Sequence, residues 1–186
     1  RVYRGGVLDY ARVKRDIALW MKQDQRPDAF FSTMFDLYAL PQDFPGYAAS
    51  QHLPPFERVD ALEQAFAQDM QHARFIPYLQ LHEFEALLLA DPQQFEWEFI
   101  EHDQAIRQLV EMTATFDSPE LIDDGQETAP SKRIIRVIPE YAGQKPSSGP
   151  LIAAKIGVPT LRAACPHFDA WLTRLSTLHQ SSETPV

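Results

Sequence analysis

Apolar residues along the chain follow two patterns, helical periodicity and short apolar runs. They recur at three- and four-residue intervals over about 8–24 and 56–72, which predicts two amphipathic helices. The apolar runs 29–35 and 74–81 predict two buried strands, which we expect to be parallel because a helix precedes each of them. Pro77 cannot donate a hydrogen bond to a sheet ladder, so we expect an edge or a bulge there.

The rest of the chain indicates loops and further helices. The Pro-rich segment 37–56 and the polar segment 117–131 are typical of loops, and so is 143–149, which is rich in Gly and Ser. Residues 134–138 fit either a strand or a helical turn. Helices are predicted over 82–90, 102–115, 148–156, 158–164 and 167–178.

These elements predict an α/β fold with a small, mainly parallel sheet flanked by helices and a helical C-terminal part. Two or three strands are few for a stable sheet, and residues 2–7 resemble the end of a strand. We therefore expect the chain to begin inside a domain, with a leading strand missing ahead of Arg1. The predicted division is an α/β core over 1–116 and a helical extension over 117–186, packed on the same domain.

Composition narrows the class of protein. With 45% hydrophobic and 23% charged residues, the 186-residue chain can bury a core and is not globally disordered. It has no apolar run long enough to span a membrane and no signal-peptide pattern, so we predict a cytoplasmic protein without a membrane partner. The single cysteine, Cys165, excludes internal disulfides and a Cys-x-x-Cys zinc site, and it fits a reducing compartment.

Charge is distributed unevenly along the chain. The net charge of −9 argues against nucleic-acid binding through bulk positive charge. Residues 28–127 hold 20 acidic and three basic side chains, whereas 132–174 hold seven basic and two acidic ones. This distribution suits a metal site beside a phosphate-binding surface, and it equally suits an ordinary solvated surface.

Acidic residues after the two strands are the first candidates for a site. Asp36 ends an apolar strand, where parallel sheets bind ligands and where a carboxylate can hold Mg²⁺; a turn-capping role is the alternative. Glu83 and Glu85 follow the next strand, and a partly buried carboxylate there needs a partner or a metal. Acids are also common in first helical turns without any such role. His82 beside them is a candidate for substrate binding or for structural packing.

Three basic residues are candidates for phosphate binding: Lys132, Arg133 and Lys145. Their surroundings lack the order of a P-loop, and a solvated face explains them equally well. The chain also lacks GxSxG, HExxH and GxGxxG motifs. Residues as close in sequence as Cys165 and His167 rarely provide the geometry of a nucleophile–base pair, so we expect Cys165 to be an inert, packed thiol.

Four segments carry a resemblance to a known family: TMFDLYALPQDFPG (33–46), RFIPYLQLHEFEALLLADP (74–92), PELIDDGQETAPSKRI (119–134) and KIGVPTLRAACPHFDAWLTRL (155–175). Over nearly the whole chain they resemble a bacterial family of Toprim-like domain proteins of unknown function. The resemblance implies neighbouring genes for ATPases and restriction-type proteins in defence loci. It also implies a Toprim fold, in which a Glu after the first strand and an Asp-x-Asp after a later strand hold Mg²⁺.

Asp36 matches the first Asp of that pair, whereas Tyr38 stands at the second position. The Glu of the pattern would precede Arg1, and Glu83 or Glu85 is our inferred substitute for the acids that are missing.

The leading prediction is a Toprim-like nuclease that uses Mg²⁺ or Mn²⁺ to hydrolyse phosphodiester bonds, in an anti-phage setting implied by the resemblance. Asp36 and one of Glu83 and Glu85 would be metal ligands or catalytic groups, and the basic residues would hold nucleic-acid phosphates. The alternative is a non-catalytic, degenerate Toprim module that binds an AAA- or ABC-type ATPase, which Tyr38 favours. A phosphatase or phosphotransferase with Asp36 as nucleophile is a third possibility. The sequence leaves the substrate, the metal number and the oligomeric state open.

Overall fold

The computed structural model describes residues 9–122 and 128–178, which form an α/β structure that is mostly helical. The described strands are β1 (Phe31–Ser32), β2 (Phe35–Asp36), β3 (Phe75–Ile76) and β4 (Leu79–Gln80). The described α-helices are α1 (Tyr10–Gln23), α2 (Tyr47–Ser50), α3 (Pro55–Met70), α4 (Glu85–Leu88), α5 (Asp103–Thr113), α6 (Pro130–Val137), α7 (Tyr141–Ile156), α8 (Val158–Ala164) and α9 (Pro166–Thr177). The strand expected over 2–7 lies outside the described residues.

The chain divides into two compact units. Of the described residues, the first unit contains 9–80 and Leu178, and the second contains 81–122 and 128–177. The boundary that the sequence predicts after residue 116 falls within the second unit, and it stays a prediction. None of the helices in the described ranges is both long enough and apolar enough to cross a lipid bilayer.

The strands of the first unit pair in parallel, as the sequence predicts. β1 pairs with β3, with Phe31 opposite Phe75, and β2 pairs with β4, with Phe35 opposite Leu79. Paired residues have the same sequence separation in both pairs, so the two pairs follow one parallel register. The pairing is interrupted between them. The two strands predicted over 29–35 and 74–81 are therefore each split into two short ones.

The interruption lies at Pro77, which has no N–H to donate to the ladder. The hydroxyl of Thr33 takes over the pairing there. Its Oγ1 accepts a hydrogen bond from the N–H of Tyr78 at 3.2 Å and donates to the carbonyl oxygen of Tyr78 at 3.3 Å. On β4, the N–H of Leu79 donates to Oε1 of Glu63 from α3 at 2.8 Å. Side chains therefore supply hydrogen bonds that such short strands cannot provide for themselves.

Phe66 of α3 is the centre of an aromatic core in the first unit. It is fully buried, and its ring centroid lies 4.9 Å from that of Phe75 and 5.0 Å from that of Phe44. The ring of Tyr10 from α1 lies 5.8 Å away, and its hydroxyl donates to Asp69 of α3. Burial first, and the hydrogen bond to Asp69 second, raise the pKa of Tyr10. These contacts hold α1 and α3 together beside the strands.

In the second unit, the prediction of a loop over 143–149 is wrong. This segment is helical and belongs to α7, which starts at Tyr141. Pro146 and Pro150 lie inside it, although an interior proline costs about 3 kcal/mol. The helix forms because its buried residues recur at helical spacing and pack on one side. Those buried residues are Tyr141, Ser148, Gly149, Ile152 and Ile156.

In two further segments the structure decides between open alternatives or differs from the prediction. Residues 134–138 are helical as far as Val137, the last residue of α6. The helix predicted over 82–90 is reduced to Glu85–Leu88. His82 adopts a φ of 61°, a left-handed conformation that an α-helix cannot contain, so the helix cannot begin at this residue.

Candidate functional site

Asp36 is the candidate metal ligand in the first unit. It is the last residue of β2, is half-buried, and lies opposite Gln80, the last residue of β4. The buried Oε1 of Gln80 accepts a hydrogen bond from the hydroxyl of Tyr78 at 2.6 Å. Tyr38, at the position where the resemblance implies a second acid, is 51% exposed. The carboxyl end of this parallel pair therefore presents one half-buried carboxylate, one buried amide and one exposed phenol.

Glu85 is the centre of a polar cluster in the second unit. It is buried at the start of α4, and its Oε1 lies 3.1 Å from Nζ of Lys145 and accepts a hydrogen bond from the hydroxyl of Tyr141 at 3.4 Å. Tyr141 and Lys145 are four residues apart on α7, a spacing that places both side chains on one face of the helix. The structure thus brings together a predicted acid and a predicted phosphate-binding lysine.

Tyr141 was not among the residues singled out from the sequence, yet it completes this cluster. Burial, and after it the negative charges of Glu85 and Glu83, raise the pKa of Tyr141, so the phenol stays protonated and donates its hydrogen. Gly149 packs close to this cluster, since a Cβ there would lie 3.4 Å from the Tyr141 hydroxyl and 3.4 Å from Cε1 of Phe84. The helical spacing of residues 141, 145 and 149 was hidden because the segment was interpreted as a loop.

Glu83 has a different environment from Glu85. Its Oε1 accepts a hydrogen bond from the backbone N–H of Ser131, in the first turn of α6. The N-cap residue of that helix, Ala129, has no side chain that can accept such a bond. Glu83 therefore caps α6, and its negative charge lies at the positive end of the helix dipole.

Glu120, which sequence reasoning missed, caps α9 in the same way. It is fully buried, and its two carboxylate oxygens accept hydrogen bonds from the backbone N–H groups of His167 at 2.9 Å and Phe168 at 3.1 Å. Burial raises the pKa of Glu120, and the two hydrogen bonds oppose the rise. A sequence signal for such a partner was available, because α9 begins at Pro166 and the preceding cysteine is not a capping residue.

The other predicted substrate-binding residues, Lys132, Arg133 and His82, differ in their contacts and in their exposure. Nε of Arg133 donates to the carbonyl oxygen of Thr128 at 2.6 Å, and its guanidinium carbon lies 5.4 Å from the centre of the Phe116 ring. Lys132 is exposed on α6, and His82 is buried. Arg133 thus has a structural role in its own unit, whereas Lys132 is accessible to a phosphate.

The fit of the predicted metal depends on the oxygen donors that the chain offers. Within each unit taken by itself, the described residues contain no three His, Cys, Asp or Glu side chains whose ligand atoms lie within 4.8 Å of one another. Mg²⁺ is commonly held by only one or two carboxylates and keeps several waters. A carboxylate such as that of Asp36 fits that chemistry, and metal binding by Asp36, Glu83 and Glu85 stays a prediction.

Cys165 lies in the second unit as a fully buried free thiol. Burial, with a smaller contribution from the charge of Glu120, raises the pKa of Cys165. A protonated, inaccessible thiol is a poor nucleophile, which agrees with the inert role expected from the sequence.

Comparison with known proteins assigns the family. The model of the family described as Domain of unknown function (DUF4276) matches residues 2–176. The comparisons with curated proteins and with solved structures found no match. Because the family match covers nearly the whole chain, the chain belongs to the DUF4276 family.

Proposed function

We propose that this chain is a Toprim-like nuclease that hydrolyses phosphodiester bonds with the help of Mg²⁺ or Mn²⁺. The observation that carries the proposal is the position of Asp36 at the carboxyl end of β2, in a parallel pair with β4. Ligands of open parallel sheets bind outside the carboxyl ends of the strands. Asp36 is half-buried, so part of the residue is accessible from solvent.

Asp36 would position the cation through a carboxylate oxygen. A divalent cation supplies charge neutralisation at the phosphodiester and a bound water of lowered pKa. The aspartate needs no partner acid to do this if water molecules complete the coordination sphere, as they often do for Mg²⁺. The exposed phenol at Tyr38 is therefore compatible with metal binding at Asp36.

Lys145 is the residue that we propose to bind a substrate phosphate. Its side chain is 34% exposed, whereas that of Glu85 beneath it is 9% exposed. The buried carboxylate fixes the position of Nζ at 3.1 Å, and an ammonium group has three hydrogens to donate. Lys145 can therefore keep its pair with Glu85 and donate to a phosphate oxygen at the same time.

The metal part of the proposal is tested by thermal unfolding of the full protein with and without millimolar Mg²⁺ or Mn²⁺. Binding to the native state raises the melting temperature by linkage, by an amount equivalent to about 2.7 kcal/mol at 100 times the dissociation constant. We expect the rise in the wild type and in the control Asp43→Ala, which removes an exposed acid from the loop after β2. We expect no rise in Asp36→Ala. A wild-type protein whose melting temperature does not respond to either ion would contradict the proposal.

A second candidate function is a non-catalytic module that binds a partner ATPase. The observation that favours it is an exposed apolar surface in the second unit, where Trp97 is 57% and Ile100 80% exposed. Glu96, Glu98 and Glu101 are close to them in sequence, and Nζ of Lys155 lies 4.0 Å from the centre of the Trp97 ring, so apolar and charged groups share this surface. Co-purification with an ATPase, together with unchanged biological activity of Asp36→Ala, would favour this function over the nuclease.

A further inference from the structure

An open groove lies in the first unit, between the end of α1 and the start of β1. Its volume is about 880 Å³, within the range of ligand sites, and its lining residues are Trp20, Gln23, Asp24, Gln25, Arg26 and Phe31. Trp20 is 66% exposed, although burying a tryptophan is strongly favourable. An aromatic ring left in solvent beside a groove of this size is available to stack on a ligand.

Two arginine side chains lie at or beside the lining of the groove. The guanidinium of Arg26 forms a two-point pair with Asp24, with Nε at 2.9 Å and NH2 at 2.7 Å from the carboxylate oxygens. These hydrogen bonds lower the pKa of Asp24 to about 2, so the pair is ionised at neutral pH. The guanidinium carbon of Arg74 lies 5.9 Å from the centre of the Phe31 ring.

The segment that supplies most of the groove's lining differs in charge from the segment that follows it in sequence. Residues 9–26 hold five basic and three acidic side chains, whereas 28–127 hold 20 acidic and three basic ones. Lys22, one of the five, lines a neighbouring hollow of about 310 Å³. Four of the five pair with acidic side chains, Arg12 and Arg15 with Asp16, Lys14 with Asp69 and Arg26 with Asp24. The attraction for an anionic ligand therefore comes mainly from Lys22.

We propose that this groove binds single-stranded nucleic acid, with an unpaired base stacked on Trp20 and backbone phosphates close to Lys22 and Arg26. Aromatic stacking next to basic side chains is the usual basis of sequence-tolerant single-strand binding. A base in a duplex already stacks on its neighbours, so Trp20 selects unpaired bases. The inference rests on the proposed function, because it names the strandedness of the nuclease's substrate.

The test is the affinity of the full protein for a fluorescein-labelled oligothymidylate about as long as one single-strand site, ~12 nucleotides, measured by anisotropy in EDTA so that no cleavage occurs. We expect Trp20→Ala to weaken binding at least about fivefold and Trp20→Phe to keep most of it. Arg26→Gln should reduce the salt dependence of binding. The matched control is Trp97→Ala, a similarly exposed tryptophan in the second unit, which should bind as the wild type does.

Equal affinities of wild type and Trp20→Ala would overturn the proposal, as would a wild type that binds a duplex of the same length as tightly as the single strand. Equal losses in Trp20→Ala and Trp97→Ala would do the same. Asp43→Ala, at an exposed acid outside the groove lining, should bind the oligonucleotide as the wild type does. Binding that depends on Trp20, in a protein that cleaves nothing, would contradict the nuclease proposal alone. Metal-dependent cleavage by a protein whose binding does not depend on Trp20 would contradict this inference alone.

Discussion

The ammonium group of Lys145 lies 3.1 Å from the buried carboxylate of Glu85, and this pair links α7 to α4 in the second unit. Residues 60 positions apart in sequence are thereby joined at the cluster that also holds Tyr141. A buried charge is costly without a partner, so the pair has consequences for stability as well as for the proposed phosphate contact.

Removal of Lys145 alone should destabilise the protein. We expect Lys145→Met to lower the free energy of unfolding by about 1–2 kcal/mol, because Glu85 would remain buried without a cation; the value is moderate because Lys145 is one-third exposed. Urea denaturation measures the change. The double variant Glu85→Gln, Lys145→Met should recover much of the loss, giving a coupling energy above about 0.5 kcal/mol. The pair would be energetically irrelevant if Lys145→Met behaved like Lys132→Met, a change at an exposed site.

Glu120 should make stability depend on pH in a defined direction. Its pKa is raised by burial, so the native state holds the proton to a higher pH than the unfolded chain does. The stability contributed by this group is therefore present at low pH and falls as pH rises from the ordinary glutamate pKa through the raised one. Subtraction of the Glu120→Gln urea unfolding free energy from that of the wild type, at pH values from about 4 to 8, isolates the effect. A difference that increases with pH would contradict this assignment.

Gly46 and Gly143 should respond to alanine with opposite signs. Gly46 has a φ of 78°, and a Cβ there would lie 2.9 Å from Cβ of Ala65 on α3. Gly46→Ala should cost at least about 1–2 kcal/mol from the left-handed backbone alone. Gly143 is in α7 with nothing within 4 Å of a Cβ, so Gly143→Ala should stabilise by about 0.5–1 kcal/mol. Thermal unfolding of both variants measures the two changes in stability. A Gly46→Ala protein as stable as the wild type would refute the account of this turn.

Cys165 should react with a thiol reagent only after unfolding. It is fully buried, and its raised pKa keeps the thiol protonated. Mass spectrometry after brief exposure to iodoacetamide should show unmodified native protein and full labelling in denaturant. Rapid labelling of the native protein would mean that the cysteine is accessible and activated.

The helices and the direction of the strands could be predicted from the sequence because their signals are local. Apolar periodicity predicted α1 and α3 to within about two residues, the usual uncertainty of a helix end. The parallel pairing followed from the helix between the strands. Pro77 predicted an irregularity, and the structure shows it as the gap between β3 and β4.

The start of α7 could not be predicted, because the local composition favours a loop there and tertiary burial favours a helix. Pro146, Pro150 and two glycines are typical of a loop, and only the packing of the face that includes Tyr141 and Ile152 favours a helix. The partner of Lys145 could not be identified until that segment was known to be helical.

The roles of the acids also depended on contacts between distant parts of the chain. The sequence identified Glu83 and Glu85 as a pair, but they differ in the structure, since Glu83 caps a helix 48 residues further along the chain and Glu85 binds a lysine. Glu120 was missed because its partners, the first N–H groups of α9, follow it by 47 and 48 residues.

The most direct measurement for the nuclease proposal is cleavage of labelled single-stranded and double-stranded DNA and RNA by the full protein, with Mg²⁺ or Mn²⁺ and with EDTA. The account predicts metal-dependent cleavage by the wild type, lost in EDTA, reduced at least about 100-fold in Asp36→Asn and unchanged in Asp43→Asn. A folded wild-type protein that cleaves none of these substrates with either ion, or an Asp36→Asn variant as active as the wild type, would contradict it.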